Sequence, residues 1–306
     1  MVERGRVVGV LMGGLSTERE ISLATGKAVI AALRERGWYT IGIDVGRDLP
    51  DQLRANRIDV AWVALHGRFG EDGCVQGLLE MLGIPYTGSG VLASALAMDK
   101  IATKRHLQAL PEITLARDAV VRVGQPLPDI LPCVVKPAVG GSTIGIAKCT
   151  TAEELQAAVA QALALDAQVL VEELIIGDEI TVAVVDGRAM PVVRILPESG
   201  FFDFEAKYTK GMTRYEVPAA IDSHTWERAQ SAAVAAYEAV GCSGLARADF
   251  MVRKDGEPVF LEINTLPGMT ATSLSPMAAG ATGVSFPELV EKILHGAHVM
   301  SPEQGS

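Results

Sequence analysis

A segment near the end of the sequence has the residue types and the spacing of a metal site. Asp249 lies in one run of alternating apolar residues, and Glu262 and Asn264 lie in the next run. Asp255-Gly256 between the runs predicts a hairpin with a two-residue turn. In that register Asp249 faces Glu262, and Arg247 faces Asn264.

The facing carboxylates indicate which ligand the hairpin would bind. Two carboxylates opposite each other on neighbouring strands repel unless a cation lies between them. Mg2+ takes oxygen ligands, usually one or two carboxylates together with substrate phosphates. Asp249, Glu262 and Asn264 are therefore predicted to bind Mg2+, with Arg247 beside the ion. An exposed hairpin with scattered charges is the alternative, and a three-residue loop would shift the register and weaken the prediction.

Composition limits the class of protein. The 306 residues are enough for two or three domains, and 49% hydrophobic with 21% charged residues is ordinary for a soluble globular chain. A net charge of −10 argues against nucleic acid as a main partner. The four cysteines have no metal or redox spacing, and no apolar run reaches membrane-spanning length. We expect a cytoplasmic protein without membrane contact.

The elements around these residues must position them. Strands and helices alternate over the first 90 residues, which predicts a mostly parallel sheet. Residues 92–110 read as one helix that contains Asp99-Lys100. Residues 200–216 are polar and aromatic and read as a long loop, a type of segment that is often functional.

Two glycine-rich segments are candidates for phosphate binding. Residues 9–14 follow a strand and open a helix, but they lack the G-x-G-x-x-G spacing of a dinucleotide site. Residues 140–145 join two strands, and Lys136 lies at the end of the incoming strand. A glycine-rich hairpin tip can fold over phosphates and offer backbone N–H groups. With a Mg2+ site in the same chain, nucleotide phosphates are the favoured ligand, and an ordinary flexible turn is the alternative.

Taken in order, the motifs resemble those of the D-alanine–D-alanine ligase family within the ATP-grasp superfamily. Five segments carry the resemblance, at residues 13–22, 65–73, 98–100, 205–208 and 264–270. It implies an α/β protein of three-domain ATP-grasp architecture. The implied domains are a parallel α/β domain with the first D-alanine site over residues 1–90, a small α+β domain with the glycine-rich hairpin over 91–176, and a mainly antiparallel α+β domain over 177–306.

The resemblance also implies a nucleotide site. Lys100 and Lys136 would hold the phosphates of ATP, and Lys207 would reach the γ-phosphate. Ser142 would close above the phosphates, and Asp249, Glu262 and Asn264 would hold two Mg2+ ions, for which Mn2+ could substitute. The remaining implied contacts are to adenine and ribose, from Glu172, Glu173, Leu174, Ile175 and Glu179.

The implied substrates are two D-alanine molecules, joined through a D-alanyl phosphate during peptidoglycan precursor synthesis. Glu18 would bind the first ammonium group and connect through Ser142 to Tyr208, with His66 close to the same substrate. The implied groups for the second half-reaction are Arg247 and the Gly268 N–H as an oxyanion hole, and Ser273 with Leu274 for the second carboxylate. The family further implies a homodimer.

Some alternatives remain open. A ligase of the D-alanyl-D-lactate type would share the fold but use another second substrate. A non-catalytic ATP-binding regulator would lack a metal ligand or the arginine, yet all of these residues are present. The glycine loop differs from that of many relatives because it has no acidic residue before Ser142.

Tyr208 provides a test between the two ligase alternatives. Relatives with phenylalanine at the matching position tend to make D-alanyl-D-lactate, whereas tyrosine favours the dipeptide. We expect Tyr208→Phe to raise the use of D-lactate, measured as the ratio of ester to amide product from mixed D-lactate and D-alanine. An unchanged ratio would refute this role.

Overall fold

A computed structural model describes residues 2–140, 145–197 and 212–299. The helices in these residues are α1 (Arg19–Glu35), α2 (Leu49–Ala55), α3 (Cys74–Leu82), α4 (Val91–Met98), α5 (Lys100–Leu107), α6 (Ala152–Leu163), α7 (Ser223–Val240), α8 (Leu274–Gly280) and α9 (Phe286–His295). The strands are β1 (Val7–Met12), β2 (Tyr39–Asp44), β3 (Val60–Val63), β4 (Thr114–Leu115), β5 (Asp118–Val121), β6 (Cys133–Pro137), β7 (Ala147–Cys149), β8 (Val169–Glu173), β9 (Asp178–Val185), β10 (Arg188–Ala189), β11 (Val193–Pro197), β12 (Thr213–Glu216), β13 (Leu245–Val252) and β14 (Pro258–Asn264).

The first sheet is parallel, in the order β2-β1-β3. Strands β1 and β3 are apolar and largely buried, whereas the edge strand β2 is half exposed. Helix α1 packs against β1 and β2, as expected when a crossover helix covers a parallel sheet. The loops that follow β1 and β3 lie at the same end of the sheet, because both strands run in one direction. This end carries Glu18 and His66.

The second sheet is antiparallel, in the order β5-β8-β6-β7. Strands β6 and β7 form the two arms of the glycine-rich hairpin. At its base the free cysteines Cys133 and Cys149 lie opposite each other in the strand register. Helix α6 covers one face of the sheet, and it begins with a capping box formed by Thr151 and Glu154. The base of the hairpin is therefore fixed by a buried core, and Lys136 on β6 is placed with it.

The third and largest sheet follows the order β12-β11-β9-β13-β14-β4, with β10 paired to β9. Helix α7 packs across its central strands, and Phe250 meets Phe260 edge to face with their ring centroids 5.8 Å apart. Strand β4 lies within the segment predicted for the central domain, yet it pairs with β14. The domain limits at residues 90 and 176 stay predictions.

The segment predicted as one helix over residues 92–110 is two helices that meet at Asp99. Asp99 has extended backbone angles and accepts a hydrogen bond from the Ala102 N–H, so it is the N-cap of α5. The prediction of a continuous helix is wrong because aspartate is favoured at the N-cap of a helix over the helix interior. The break places Lys100 in the first turn of α5.

The β13–β14 hairpin has the predicted pairing of Asp249 with Glu262, but its turn and register differ from the prediction. Its tip is a three-residue loop over 254–256, closed by a hydrogen bond of 2.9 Å from the Arg253 N–H to the Glu257 carbonyl. The predicted two-residue turn is wrong. Leu261 forms a β-bulge, an extra residue on β14 that reverses the shift, so Asp249 still faces Glu262 and Arg247 still faces Asn264.

Gly177 allows a close approach of β9 to the hairpin. A Cβ atom at this position would lie 1.7 Å from the Val252 carbonyl oxygen, which belongs to backbone and cannot rotate away. We expect Gly177→Ala to lower the free energy of unfolding by about 1–3 kcal/mol, the usual cost of overpacking. Urea denaturation measures the change.

The matched control is Gly280→Ala in α8. A Cβ atom there meets nothing within 4 Å. Alanine is the better helix former by about 1 kcal/mol, so this variant should equal or exceed the wild type in stability. Equal stability of the two variants would contradict the close-approach argument.

Candidate active site

A cavity of about 410 Å³ lies between the second and third sheets. Its volume is in the range of small-molecule sites in proteins, roughly 300–1,000 Å³. It is lined by side chains from β6, β8, β9, β13 and β14. The predicted residues that it brings together are Lys100, Lys136, Glu172, Glu173, Leu174, Ile175, Glu179, Asp249 and Glu262.

The lining divides into apolar and charged parts. The apolar residues are Ala116, Val134, Ile146, Leu174, Ile175, Ile195, Leu196, Pro197, Met251 and Leu261. The charged groups include two lysines, Lys100 and Lys136, and two carboxylates, Asp249 and Glu262. An apolar slot with cations and carboxylates beside it matches a nucleotide, whose base is flat and apolar and whose phosphates need cations.

Glu172 lies between two lysines. Its carboxylate forms an ion pair of 2.6 Å with Lys136, and its other oxygen contacts Lys104. Burial alone would raise the pKa of Glu172, but the two lysines reverse this and hold the pKa below its ordinary value. Glu172 therefore stays ionised, and it fixes the position of the Lys136 ammonium group.

Sequence reasoning missed Lys104, although its spacing from Lys100 could have revealed it. The two lysines are four residues apart on α5, which places them on one face of the helix. Lys104 is 1% exposed and donates a hydrogen bond of 3.1 Å to the Ala116 carbonyl. A lysine is almost never fully buried unless it is paired, so its position marks a specific interaction.

Lys100 connects the glycine-rich hairpin to the carboxylate pair. Its Nζ donates to the Gly140 carbonyl at 2.5 Å and lies 3.4 Å from Glu262 Oε2. Its backbone N–H donates to the Ala138 carbonyl at 2.9 Å. These contacts hold the start of α5 against the segment that follows β6 and beside Glu262 on β14.

Asp249 and Glu262 face each other as predicted, and cations accompany both. Arg247 donates to the two oxygens of Asp249 at 2.9 and 2.8 Å, a bidentate pair that fixes the guanidinium plane. Thr181, opposite Asp249 on β9, donates its hydroxyl to the same carboxylate. This threonine was not predicted, because its role follows from a strand pairing between distant segments.

The donor set fits Mg2+ in a nucleotide complex. Within the described residues no three histidine, cysteine, aspartate or glutamate side chains converge, so a cage built only from such groups is not formed there. In nucleotide complexes, Mg2+ is usually bound by one or two protein carboxylates together with the phosphates of the substrate. The amide oxygen of Asn264 accepts a hydrogen bond of 2.9 Å from the Leu266 N–H, which holds this third oxygen donor at the end of β14.

Glu18 and His66 lie on loops of the first sheet and contact each other's segments. Glu18 is buried at the N-cap of α1, and a Cβ atom at Gly67 would lie 2.6 Å from its Oε2. Ser16 donates a hydrogen bond of 2.7 Å to the His66 carbonyl. Gly67 is required for two reasons: a side chain there would collide with Glu18, and its backbone has a positive φ of 69°.

The His66 ring is held on both sides. Its Nε2 lies 3.1 Å from the Thr25 hydroxyl, and the ring also forms a hydrogen bond with the backbone of Leu266. Burial is the main cause that lowers the pKa of His66 to about 4; the Leu266 hydrogen bond opposes this shift, and the charge of Arg247 contributes to it. The imidazole is neutral at pH 7 and joins the first sheet to the loop that follows β14.

The residues predicted for the second substrate lie together after β14. Ser273 is the N-cap of α8, and its Oγ accepts a hydrogen bond of 3.0 Å from the Thr270 N–H. A Cβ atom at Gly268 would come within 3.3 Å of the same Oγ. Leu274 packs against Ile195 and Tyr215. Ser142, Lys207 and Tyr208 lie outside the described residues.

Glu71 is a further acid of the site that residue-by-residue prediction passed over. It accepts a hydrogen bond of 2.7 Å from the Gly67 N–H and lines a small cavity beside Lys100, Glu262 and Asn264. Burial and the nearby Glu18 raise the pKa of Glu71 to about 8. The motif over residues 65–73 contained it, but only the fold brings its carboxyl beside the other acids.

Comparison with known proteins places this arrangement in a family. Two sequence profiles match, described as "D-ala D-ala ligase C-terminus" over residues 110–295 and "D-ala D-ala ligase N-terminus" over residues 45–89. A D-alanine–D-alanine ligase from Syntrophotalea carbinolica is 53% identical over 294 residues, with 95% of each chain covered. One from Anaeromyxobacter sp. (strain Fw109-5) is 50% identical, with 96% of this chain and 97% of the relative covered.

The chain belongs to the D-alanine–D-alanine ligase family.

Solved structures agree with this assignment. The D-alanine–D-alanine ligase from Bacillus anthracis complexed with ATP has a TM-score of 0.84 at 36% identity and covers 95% of this chain and 97% of its own. The VanG D-Ala:D-Ser ligase from Enterococcus faecalis has a TM-score of 0.82 at 30% identity, with 95% and 99% covered. The predicted family and the ATP-grasp α/β fold are confirmed.

Helices of the described part of the chain are all too short or too polar to cross a lipid bilayer. The cytoplasmic location and the homodimer stay predictions.

Burial of His66 predicts a pH-dependent stability. The unfolded histidine binds a proton below its ordinary pKa of about 6.5, whereas the folded one stays neutral down to about 4. The wild type should therefore lose roughly 2 kcal/mol of unfolding free energy relative to His66→Gln between pH 7 and 4.5. Urea denaturation at several pH values measures the difference.

The control is His224→Gln, which changes an exposed histidine and should keep the wild-type pH profile. If the gap between the wild type and His66→Gln stays constant from pH 7 to 4.5, His66 is not buried in its neutral form.

Proposed function

We propose that the protein joins two D-alanine molecules to D-alanyl-D-alanine at the expense of ATP, through a D-alanyl phosphate, in the synthesis of peptidoglycan precursors. One observation carries the proposal. One cavity brings together two lysines, Lys100 and Lys136, and the facing carboxylates Asp249 and Glu262, in a chain 53% identical to a D-alanine–D-alanine ligase. We further propose that the protein acts in the cytoplasm as a homodimer.

ATP fits the cavity with its base in the apolar slot. The segment from Glu172 to Ile175 lines that slot and offers backbone groups and a carboxylate to adenine. Glu179 on β9 also lines the cavity and would bind the ribose hydroxyls. Lys100 and Lys136 hold the phosphates, Lys207 reaches the γ-phosphate, and Ser142 closes over them. The Bacillus anthracis relative that shares this fold was crystallised with ATP.

Asp249, Glu262 and Asn264 would hold two Mg2+ ions, for which Mn2+ could substitute. Bound there, the metal would neutralise charge on the transferred phosphoryl group and align it. The chain's own contribution is the β13–β14 register, which keeps the two carboxylates opposite each other. Thr181 and Arg247 hold the Asp249 carboxylate in place.

The first half-reaction needs one D-alanine with its carboxylate directed at the γ-phosphate. Glu18 binds the ammonium group, and His66 lies close to the same substrate. The carboxylate oxygen attacks the γ-phosphorus, and ADP leaves. Because an acyl phosphate hydrolyses in water, the site must close, and Ser142 and Tyr208, linked to Glu18, are the proposed latch.

The second half-reaction forms the peptide bond. Ser273 and Leu274 hold the carboxylate of the second D-alanine so that its amine attacks the acyl carbon. Negative charge then develops on the former carbonyl oxygen. Arg247 and the Gly268 N–H stabilise this oxyanion, and phosphate departs. Loss of one such donor typically lowers a rate by about 10²–10³.

D-alanyl-D-lactate synthesis is the competing activity, and the comparisons favour the dipeptide. Relatives at about half identity carry the D-alanine–D-alanine ligase name, whereas the D-Ala:D-Ser ligase neighbour is 30% identical. The second substrate is decided by direct assay.

We expect the purified protein to form ADP and D-alanyl-D-alanine in equal amounts from ATP, Mg2+ and D-alanine. L-Alanine should give neither product, because Glu18 and Ser273 would have to bind a substrate of the opposite hand. Removal of Mg2+ with a chelator should abolish both products, and adding Mg2+ back should restore them. Coupled ADP release and chromatography of the dipeptide measure the two products.

ADP release with L-alanine alone, or with neither isomer, would refute the ligase proposal. Activity that survives complete chelation would refute the metal role of Asp249 and Glu262 while leaving the ligase activity intact.

A further inference from the structure

Lys104 is a buried cation that lies behind the cavity, outside the lining residues. Its Nζ reaches the Ala116 carbonyl and one oxygen of Glu172, and Asp118 Oδ1 lies 3.7 Å away. Asp118 also pairs with Arg105 at 2.9 Å. Both Ala116 and Glu172 line the cavity, so one side chain of α5 holds two parts of its wall.

The charge balance at Glu172 depends on this lysine. Lys136 approaches one carboxylate oxygen from the cavity, and Lys104 binds the other from the protein interior. Glu172 is 2% exposed, so water cannot replace a missing partner. With Lys104 removed, the whole negative charge of Glu172 would act on Lys136 and hold its ammonium group away from the phosphates.

Glu172 would also lose its anchor. A carboxylate with one partner can rotate toward that partner, whereas bonds on both oxygens fix its plane. A fixed acceptor is what an exocyclic amino group of a purine base requires. Through Glu172, Lys104 would therefore affect the binding of both the base and the phosphates of a nucleotide.

We propose that Lys104 is a positioning residue for ATP: it fixes Glu172 and shares its charge, so that Lys136 can engage the phosphates. This inference rests on the proposed function, which supplies the nucleotide. It concerns nucleotide affinity alone, since Lys104 contacts neither the metal ligands nor the residues proposed for D-alanine.

The test is calorimetric titration of Mg2+ and ATP into Lys104→Met and Lys104→Gln in the absence of D-alanine. We expect each variant to bind ATP about tenfold more weakly or worse, the effect of one hydrogen bond to a charged group. In steady-state assays the KM for ATP should rise while the KM for D-alanine stays near the wild-type value. Wild-type ATP affinity in both variants would overturn the proposal.

A double-mutant cycle separates positioning from a general structural role. If Lys104 acts through Glu172, Lys104→Met should have little further effect on ATP affinity in a Glu172→Gln background. Additive losses would overturn the proposal. Should the Lys104 single variants fail to fold, the comparison of Lys104→Met/Glu172→Gln with Glu172→Gln still decides it, because the double variant removes both members of the buried pair and Lys104 in Glu172→Gln keeps Asp118 at 3.7 Å.

Glu291→Gln is the control for destabilisation. Glu291 is a buried carboxylate that pairs with Arg4, Arg36 and Trp38 far from the cavity. This variant should lower the melting temperature without weakening ATP binding. If it weakens ATP binding as much as Lys104→Met does, the Lys104 effect is one of stability, and the proposal fails. A wild type that binds ATP but makes no dipeptide would refute the ligase function and leave the Lys104 result interpretable.

Discussion

Pairing of buried charge is the constraint on which the rest of the site depends. Three carboxylates at the cavity have a cation beside them: Glu172 has Lys104 and Lys136, Asp249 has Arg247, and Glu262 has Lys100. Removing one partner of a buried pair leaves an uncompensated ion and costs several kcal/mol, so these contacts fix the elements that carry them. The ion pairs tie α5 to β8 and β14, and they tie β6 to β8. The geometry that nucleotide binding needs is thereby set before any ligand arrives.

The β13–β14 hairpin shows how a β-bulge can preserve the pairing of two carboxylates that the length of the turn would otherwise separate. By itself, a three-residue tip would shift the pairing register of β14 by one residue and place Glu262 on the opposite face of the sheet from Asp249. The bulge at Leu261 restores the pairing beyond it and directs Leu261 into the lining of the cavity. One extra residue therefore keeps Asp249 opposite Glu262 and supplies part of the apolar slot.

The substrate side is built from a different contact, between the first sheet and the loop after β14. His66 contacts Thr25 on α1 and the backbone of Leu266, so the loop that carries Gly268 is joined to the loop that carries Glu18. A neutral imidazole makes this connection without adding another charge beside Arg247. The two proposed D-alanine positions are thus held relative to each other by a short chain of packed groups.

Several features were determined by the sequence alone: the family, the α/β class and the choice of Lys100, Lys136, Asp249 and Glu262 as site residues, because motif spacing, hydrophobic alternation and capping are local properties of the chain. The break at Asp99, the bulge at Leu261 and the partners of Glu172 and Asp249 were decided only by the tertiary structure. Lys104 and Thr181 act on residues 68 positions away along the chain, and a contact at that separation depends on how strands pair and how a helix packs. Burial then sets which charges need a partner, and no local pattern of residues contains that information.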